Sequence, residues 1–149
     1  MPKIDERQIE ALVSKAWESR MYAYAPYSQF RVGAAVLTAD GRVFTGANVE
    51  NASYGLSMCA ERVAIGSAAA AGARSFVAIA VAGEGERGIV PCGACRQVMA
   101  EFSQHAAVVR CLPDGTHTVS SVRELLPDAF TGRMLADGDP RNKLEFALP

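Results

Sequence analysis

No stretch of this chain is apolar over anything near the ~20 residues that span a bilayer, so no membrane segment is expected. No block of like charge stands out, and the net charge is −1. That balance excludes a nucleic-acid binder held by a large basic surface. Histidine is scarce: His105 and His117 are the only two. Neither has ligand spacing, and both read as surface or capping residues. No internal repeat or linker interrupts the 149 residues, which therefore read as one domain spanning 1–149. The charged start (Lys3, Asp5, Glu6, Arg7, Glu10) is not that of a signal peptide, so a cytoplasmic protein is expected. On that view the Asn51-Ala52-Ser53 sequon is fortuitous.

Half of the residues are hydrophobic, enough for a real core. Residues 5–23 carry Ile9, Leu12, Val13, Ala16, Trp17 and Met21 on one helical stripe. Residues 31–38 and 43–45 read as a hairpin about Asp40-Gly41, and 48–58 as a loop. A second helix starts near Cys59 and stops at Gly72. The apolar run 76–82 is a buried strand, and a third helix follows Pro91. Residues 107–112 and 116–119 are strands around the turn Pro113-Asp114-Gly115. Ser121-Val122-Arg123-Glu124 has the form of a capping box opening a short helix. The stretch 131–149 is weakly patterned and reads as a tail that is loose unless it docks on a partner. This order predicts an α/β fold, a three-layer α-β-α sandwich with a central mixed five-stranded sheet.

Four cysteines in a chain of this length and expected compartment point to metal binding before disulfides. Three of them fall in Cys59-Ala60-Glu61 and Pro91-Cys92-Gly93-Ala94-Cys95, at the starts of two helices. Helix N-termini carry partial positive charge and stabilise thiolates. Three sulfurs can hold Zn²⁺ and leave its fourth position for water, the catalytic pattern. Glu61, two residues from a ligand, can shuttle protons, although an acid in a first turn is also the ordinary answer to the helix dipole. Arg62 is either a donor that drains charge from cysteine sulfur or a residue of a solvated face. Cys111 lies in an apolar strand and reads as a small buried hydrophobe. Cys-x-x-Cys alone would also suit a structural zinc or redox module.

Cys-Ala-Glu with Pro-Cys-x-x-Cys resembles the signature of the zinc nucleoside deaminases. The likeness runs in order through Tyr24-Ala25-Pro26-Tyr27-Ser28, Val32-Gly33-Ala34-Ala35 and Asn48 to Tyr54. It continues through Cys59-Ala60-Glu61-Arg62 and Pro91 to Val98, and ends with Glu124 to Phe130. It is strongest to the small homotetrameric cytidine deaminases. That resemblance implies one Zn²⁺ per subunit on Cys59, Cys92 and Cys95, whose water attacks C4 of cytosine. Glu61 would carry that water's proton to N3 and then protonate the leaving amine, giving uridine, or deoxyuridine from deoxycytidine, plus ammonia, a step of pyrimidine salvage. It further implies that Asn48 and Glu50 hold the ribose and that Ala60 reads the base edge through its backbone. Phe30 would pack on the base, Tyr54 would line the pocket, and Phe130 would reach a neighbouring subunit's site, so that sites are shared in a tetramer. From the residues alone Asn48 is equally a turn residue, Glu50 a solvated acid and Phe30 core.

The chain departs from the family at Ala47, where cysteine is common, at Arg31, at Val63 in place of threonine, and past Phe130. Blasticidin-S deaminase is the rival enzyme, echoed by 68–72, 88–89 and 123–127. Glu50 argues against it, since a ribose-binding acid is not expected there.

Overall fold

The computed structural model describes residues 4–136. Its sheet runs in the order β2-β1-β3-β4-β5, with β1 Val32–Thr38, β2 Val43–Ala47, β3 Phe76–Gly83, β4 Ala107–Cys111 and β5 His117–Ser121. The β1–β2, β1–β3 and β4–β5 pairs are antiparallel, and β3–β4 is parallel. Parallel neighbours need a long crossover, and helix α3 (Gly93–Phe102) supplies it. The other helices are α1 (Glu6–Arg20), α2 (Ala60–Ala70), α4 (Val122–Leu125) and α5 (Gly132–Ala136). None of the described helices is long and apolar enough to cross a membrane.

Strand alternation divides the core in two. Ala78, Ala80 and Ala82 of β3 join Ala35, Leu37 and Val109 beneath Ile9, Leu12 and Ala16 of α1. Ile79 and Val81 face the other way, with Val36 and Val108, against Ile65 of α2 and Met99 of α3. The expected three layers are therefore present, with α1 on one side of the mixed sheet and α2 and α3 on the other. Two glycines set how closely the helices lie. A Cβ on Gly33 would stand 2.1 Å from the Ala16 carbonyl oxygen, and one on Gly46 would stand 2.4 Å from the Ala64 nitrogen. α1 and α2 thus rest directly on strand backbone.

The ends of elements differ from the sequence expectation for identifiable reasons. α1 opens with a box in which Gln8 N donates to Asp5 Oδ1 and Asp5 N to Gln8 Oε1 (2.8 and 3.0 Å). It closes at Arg20 rather than at 23, so Met21 is 74% exposed and leaves the apolar stripe. Ser19 is buried instead, donating to the Ala16 carbonyl at 3.0 Å. β5 lies about two residues later than expected because its register pairs Ala107 with Ser121 and Cys111 with His117. The 48–58 loop carries a 3₁₀ turn at Tyr54–Leu56, and Val49 bridges to both Tyr24 and Met58. The predicted box at α4 is present: Ser121 N donates to Glu124 Oε2 (2.7 Å) and Glu124 N to Ser121 Oγ (3.2 Å). Of the stretch expected to be a loose tail, Gly132–Ala136 is helical. Residues 137–149 of that expectation lie outside the described residues.

Candidate active site

Cys59 and Cys92 occupy the N-cap positions of α2 and α3, where Ser, Thr, Asp or Asn usually accept from the helix backbone. Neither cysteine makes such a bond; both residues are extended, and their sulfurs turn toward each other. The Cys59 and Cys92 Sγ atoms are 3.9 Å apart, and Cys92 and Cys95 Sγ 3.5 Å. All three sulfurs lie within 4.8 Å of one another, with Cys95 buried, Cys59 half-buried and Cys92 exposed. A tetrahedral ion with Zn–S bonds near 2.3 Å sets its sulfurs about 3.8 Å apart, and the two distances from Cys92 Sγ lie close to that. A hydrogen bond from the Cys95 thiol, aided by Arg62, pulls the Cys59 thiol down to about 5, and the Cys95 thiol is pushed up in return. Two converging helix N-termini favour negative charge at the same place.

Glu61 is 3% exposed, although it stands in the first turn of α2. It is no solvated dipole partner. Burial raises its carboxyl above the ordinary 4.5, and the neighbouring Cys59 adds to the rise. Arg62 turns back over the preceding loop, with Nη2 at 3.6 Å from Cys59 Sγ and 3.3 Å from the Ser57 carbonyl oxygen. Of its two sequence readings, the sulfur donor is therefore the geometry found.

Cys59, Glu61 and Cys92 line a cleft of ≈ 290 Å³ that Phe30, Asn48, Glu50 and Ala60 also line. Bridges on both sides of Val49 keep 48–50 extended, so Asn48 and Glu50 point to one side. Neither is the turn residue or free acid that the sequence alone allows. Asn48 Nδ2 donates to the Phe30 carbonyl (2.8 Å), and its Oδ1 accepts from Val32 N (2.8 Å). Glu50 Oε1 accepts from Tyr27 N and Ser28 N (3.0 and 3.1 Å). Phe30 is 41% exposed and belongs to the cleft, not the core. Ala60 is fully buried.

Two predicted residues stand apart from this cleft. Tyr54 is 75% exposed and meets Tyr27 edge-on, with ring centroids 5.8 Å apart. Phe130 is 56% exposed and lines no part of the cleft of its own chain. Met58, Ile89 and Val90 do line it and carry no polar signal by which sequence reasoning could have found them. A clue was their adjacency to Cys59 and to Pro91-Cys92. His105 is exposed, and His117 lies 3.6 Å from Glu6; neither belongs to the sulfur cluster. Cys111 is buried, its thiol pushed up to about 12 by that burial. A larger cleft of ≈ 770 Å³, along the C-terminal part of α3 against α4, holds none of the predicted site residues.

Residues 6–111 match the family model described as the cytidine and deoxycytidylate deaminase zinc-binding region. A crystal structure of cytidine deaminase from Burkholderia pseudomallei superposes with a TM-score of 0.79 at 54% identity, covering 85% of this chain and all of that one. A crystal structure of cytidine deaminase from Mycobacterium tuberculosis gives a TM-score of 0.72 at 38% identity, covering 86% of this chain and 98% of that one. The cytidine deaminase of Halalkalibacterium halodurans is 49% identical over 129 residues, which are 86% of this chain and 98% of that protein. With the sulfur trio, the buried acid beside it and a match over most of its length, this chain belongs to the zinc-binding cytidine and deoxycytidylate deaminase family.

Proposed function

We propose that this chain is a single-domain cytidine deaminase that hydrolyses cytidine and 2′-deoxycytidine to uridine and 2′-deoxyuridine plus ammonia. The observation that carries this reading is Glu61: a carboxyl 3% exposed, its pKa raised by burial, on the floor of a cleft shared with the metal-binding sulfurs. An acid raised above 4.5 can both take and return a proton near neutral pH, which a deamination requires twice. Cys59, Cys92 and Cys95 would hold the zinc, which would supply an activated water and stabilise developing negative charge. Glu61 takes the proton from the attacking water and delivers it to N3 of the cytosine ring; it then takes the remaining proton of the hydroxyl added at C4 and gives it to the amine, which leaves as ammonia as the C4 carbonyl forms. The Ala60 backbone meets the base edge, and Phe30 covers the base. Asn48 and Glu50 receive the ribose hydroxyls at the mouth of the cleft, and Arg62 restrains the charge on Cys59.

The assembly belongs to the same reading. Several large apolar side chains are exposed on different elements, among them Tyr24, Tyr54, Leu56 and Phe130. Such a surface suits contact between copies. A homotetramer in which Tyr54 and Phe130 complete neighbouring sites accounts for their positions outside their own cleft. A cytoplasmic role in pyrimidine salvage, without nucleic-acid or membrane partners, completes the proposal. The test is an ultraviolet deamination assay on a nucleoside panel, with and without a zinc chelator. Turnover of cytidine and deoxycytidine that chelation removes is the expected result. Blasticidin S turned over much faster than cytidine would overturn the substrate assignment, and no deamination at all would leave a structural zinc module.

A further inference from the structure

Two neighbouring side chains of α3 reach from the metal-binding helix to one distant segment. Arg96 Nε donates to the Pro91 carbonyl and its Nη1 to the Leu125 carbonyl, both at 2.8 Å. Gln97 Nε2 donates to the Phe130 carbonyl, also at 2.8 Å. Both donors follow directly on Cys95 in the chain. The segment 125–130 is thus hung from α3 at its two ends. Between those ends Asp128 adopts a φ of +56°, a left-handed conformation that non-glycine residues seldom take. Leu125, Leu126 and Ala129 pack against the core beneath α2 and α3, whereas the Phe130 ring stands exposed beyond them.

We propose that Gln97 is a positioning residue for Phe130. Its hydrogen bond fixes that residue's backbone to the helix bearing Cys92 and Cys95. One rigid unit then carries a subunit's own metal ligands and the aromatic ring it lends to the next subunit. This inference rests on the reading above that Phe130 completes a neighbour's nucleoside site. Arg96 is the weaker place to test it, because its contact with Pro91 borders the metal loop itself. Among the described residues the Gln97 side chain is hydrogen-bonded at the far end alone, so its effect belongs on substrate binding and not on metal or chemistry.

The discriminating variant is Gln97→Glu, which keeps the shape of the side chain but has no N–H to give to a carbonyl. In the intact zinc enzyme it raises KM for cytidine about fivefold and leaves kcat within about twofold, as loss of one hydrogen bond allows. Zinc per chain and assembly size stay those of the parent. Gln97→Lys, which retains a donor, restores most of the KM. Combining Gln97→Glu with Phe130→Ala gives a KM no higher than Phe130→Ala alone, since both act through one ring. An unchanged KM in Gln97→Glu, while Phe130→Ala raises it, overturns the proposal, as do effects that multiply. A parallel fall in zinc and kcat overturns it too, making Gln97 a support of the metal loop. Phe130→Ala with the parental KM removes the premise instead, and that failure is read separately from the single variant.

Discussion

At one end of the cleft, Cys59, Glu61, Cys92 and Cys95 occupy the first turns or N-caps of α2 and α3, and Glu61 and Cys95 are buried. At the other end, Phe30, Asn48 and Glu50 sit on segments without regular structure, tied together by side-chain bonds to backbone groups of 27–32. The first region presets electrostatics: helix ends, thiols and a desolvated acid are in place before any ligand arrives. The second presets shape only as far as those few bonds hold, and Phe30 stays partly exposed there among the described residues. Damage at the metal end should therefore appear in kcat, and damage at the mouth in KM.

The widest separation is expected for Glu61→Gln. Removing general acid–base help lowers kcat by ~10²–10⁴-fold. Zinc content and KM stay near their parental values, because the amide fills the same buried space. Steady-state kinetics with metal analysis on the same preparation checks this. Loss of zinc in step with activity would erase the distinction between holding the metal and moving protons.

Arg62→Gln is next. Its guanidinium lies 3.6 Å from Cys59 Sγ, and its buried Nε has no hydrogen-bond partner among the described residues. Withdrawing a donor from a ligating sulfur costs ~10–100-fold in activity or metal affinity. Chelator titration alongside kcat separates the two. A change confined to KM would place Arg62 with the mouth.

Glu50→Gln reports on the mouth itself. The amide keeps the size of the side chain but loses the charge facing Tyr27 N and Ser28 N. KM for cytidine rises about tenfold with kcat little altered, the scale of one charge-assisted hydrogen bond. A kcat loss as large as that of Arg62→Gln would break the division between the two ends.

That division also governs what the sequence could disclose. The metal end was legible because helix starts are written locally: Cys59 precedes an alanine-rich stretch, Cys92 follows Pro91, and Cys-x-x-Cys places Cys95 one turn on. The five strands were legible through one apolar run and two turn signals, with bounds missed at β2, which runs on to Ala47, and at β5, where pairing register decides. At the mouth, Asn48 and Glu50 each had an ordinary alternative, settled by contacts to residues 27–32 that no local pattern encodes. Met58, Ile89 and Val90 enter the cleft only because two separated loops meet there. Met21 misled, since its helical spacing persists one residue beyond the point where the helix stops.

The smallest expected effect is the pH response of the mouth. Hydrogen bonding from Ser28, then from Tyr27, holds the Glu50 carboxyl below its ordinary 4.5. A group whose folded pKa is lowered keeps its contribution above the ordinary value and loses it as pH falls through the lowered one. The parent's advantage over Glu50→Gln in binding the product uridine, followed by calorimetry, should therefore be level between about pH 8 and 5 and shrink only in more acid solution, since Glu61 titrates alike in both proteins. A loss of that advantage already complete at pH 5.5 would mean that the Glu50 carboxyl is not held low, and that the two ends of the cleft titrate as one.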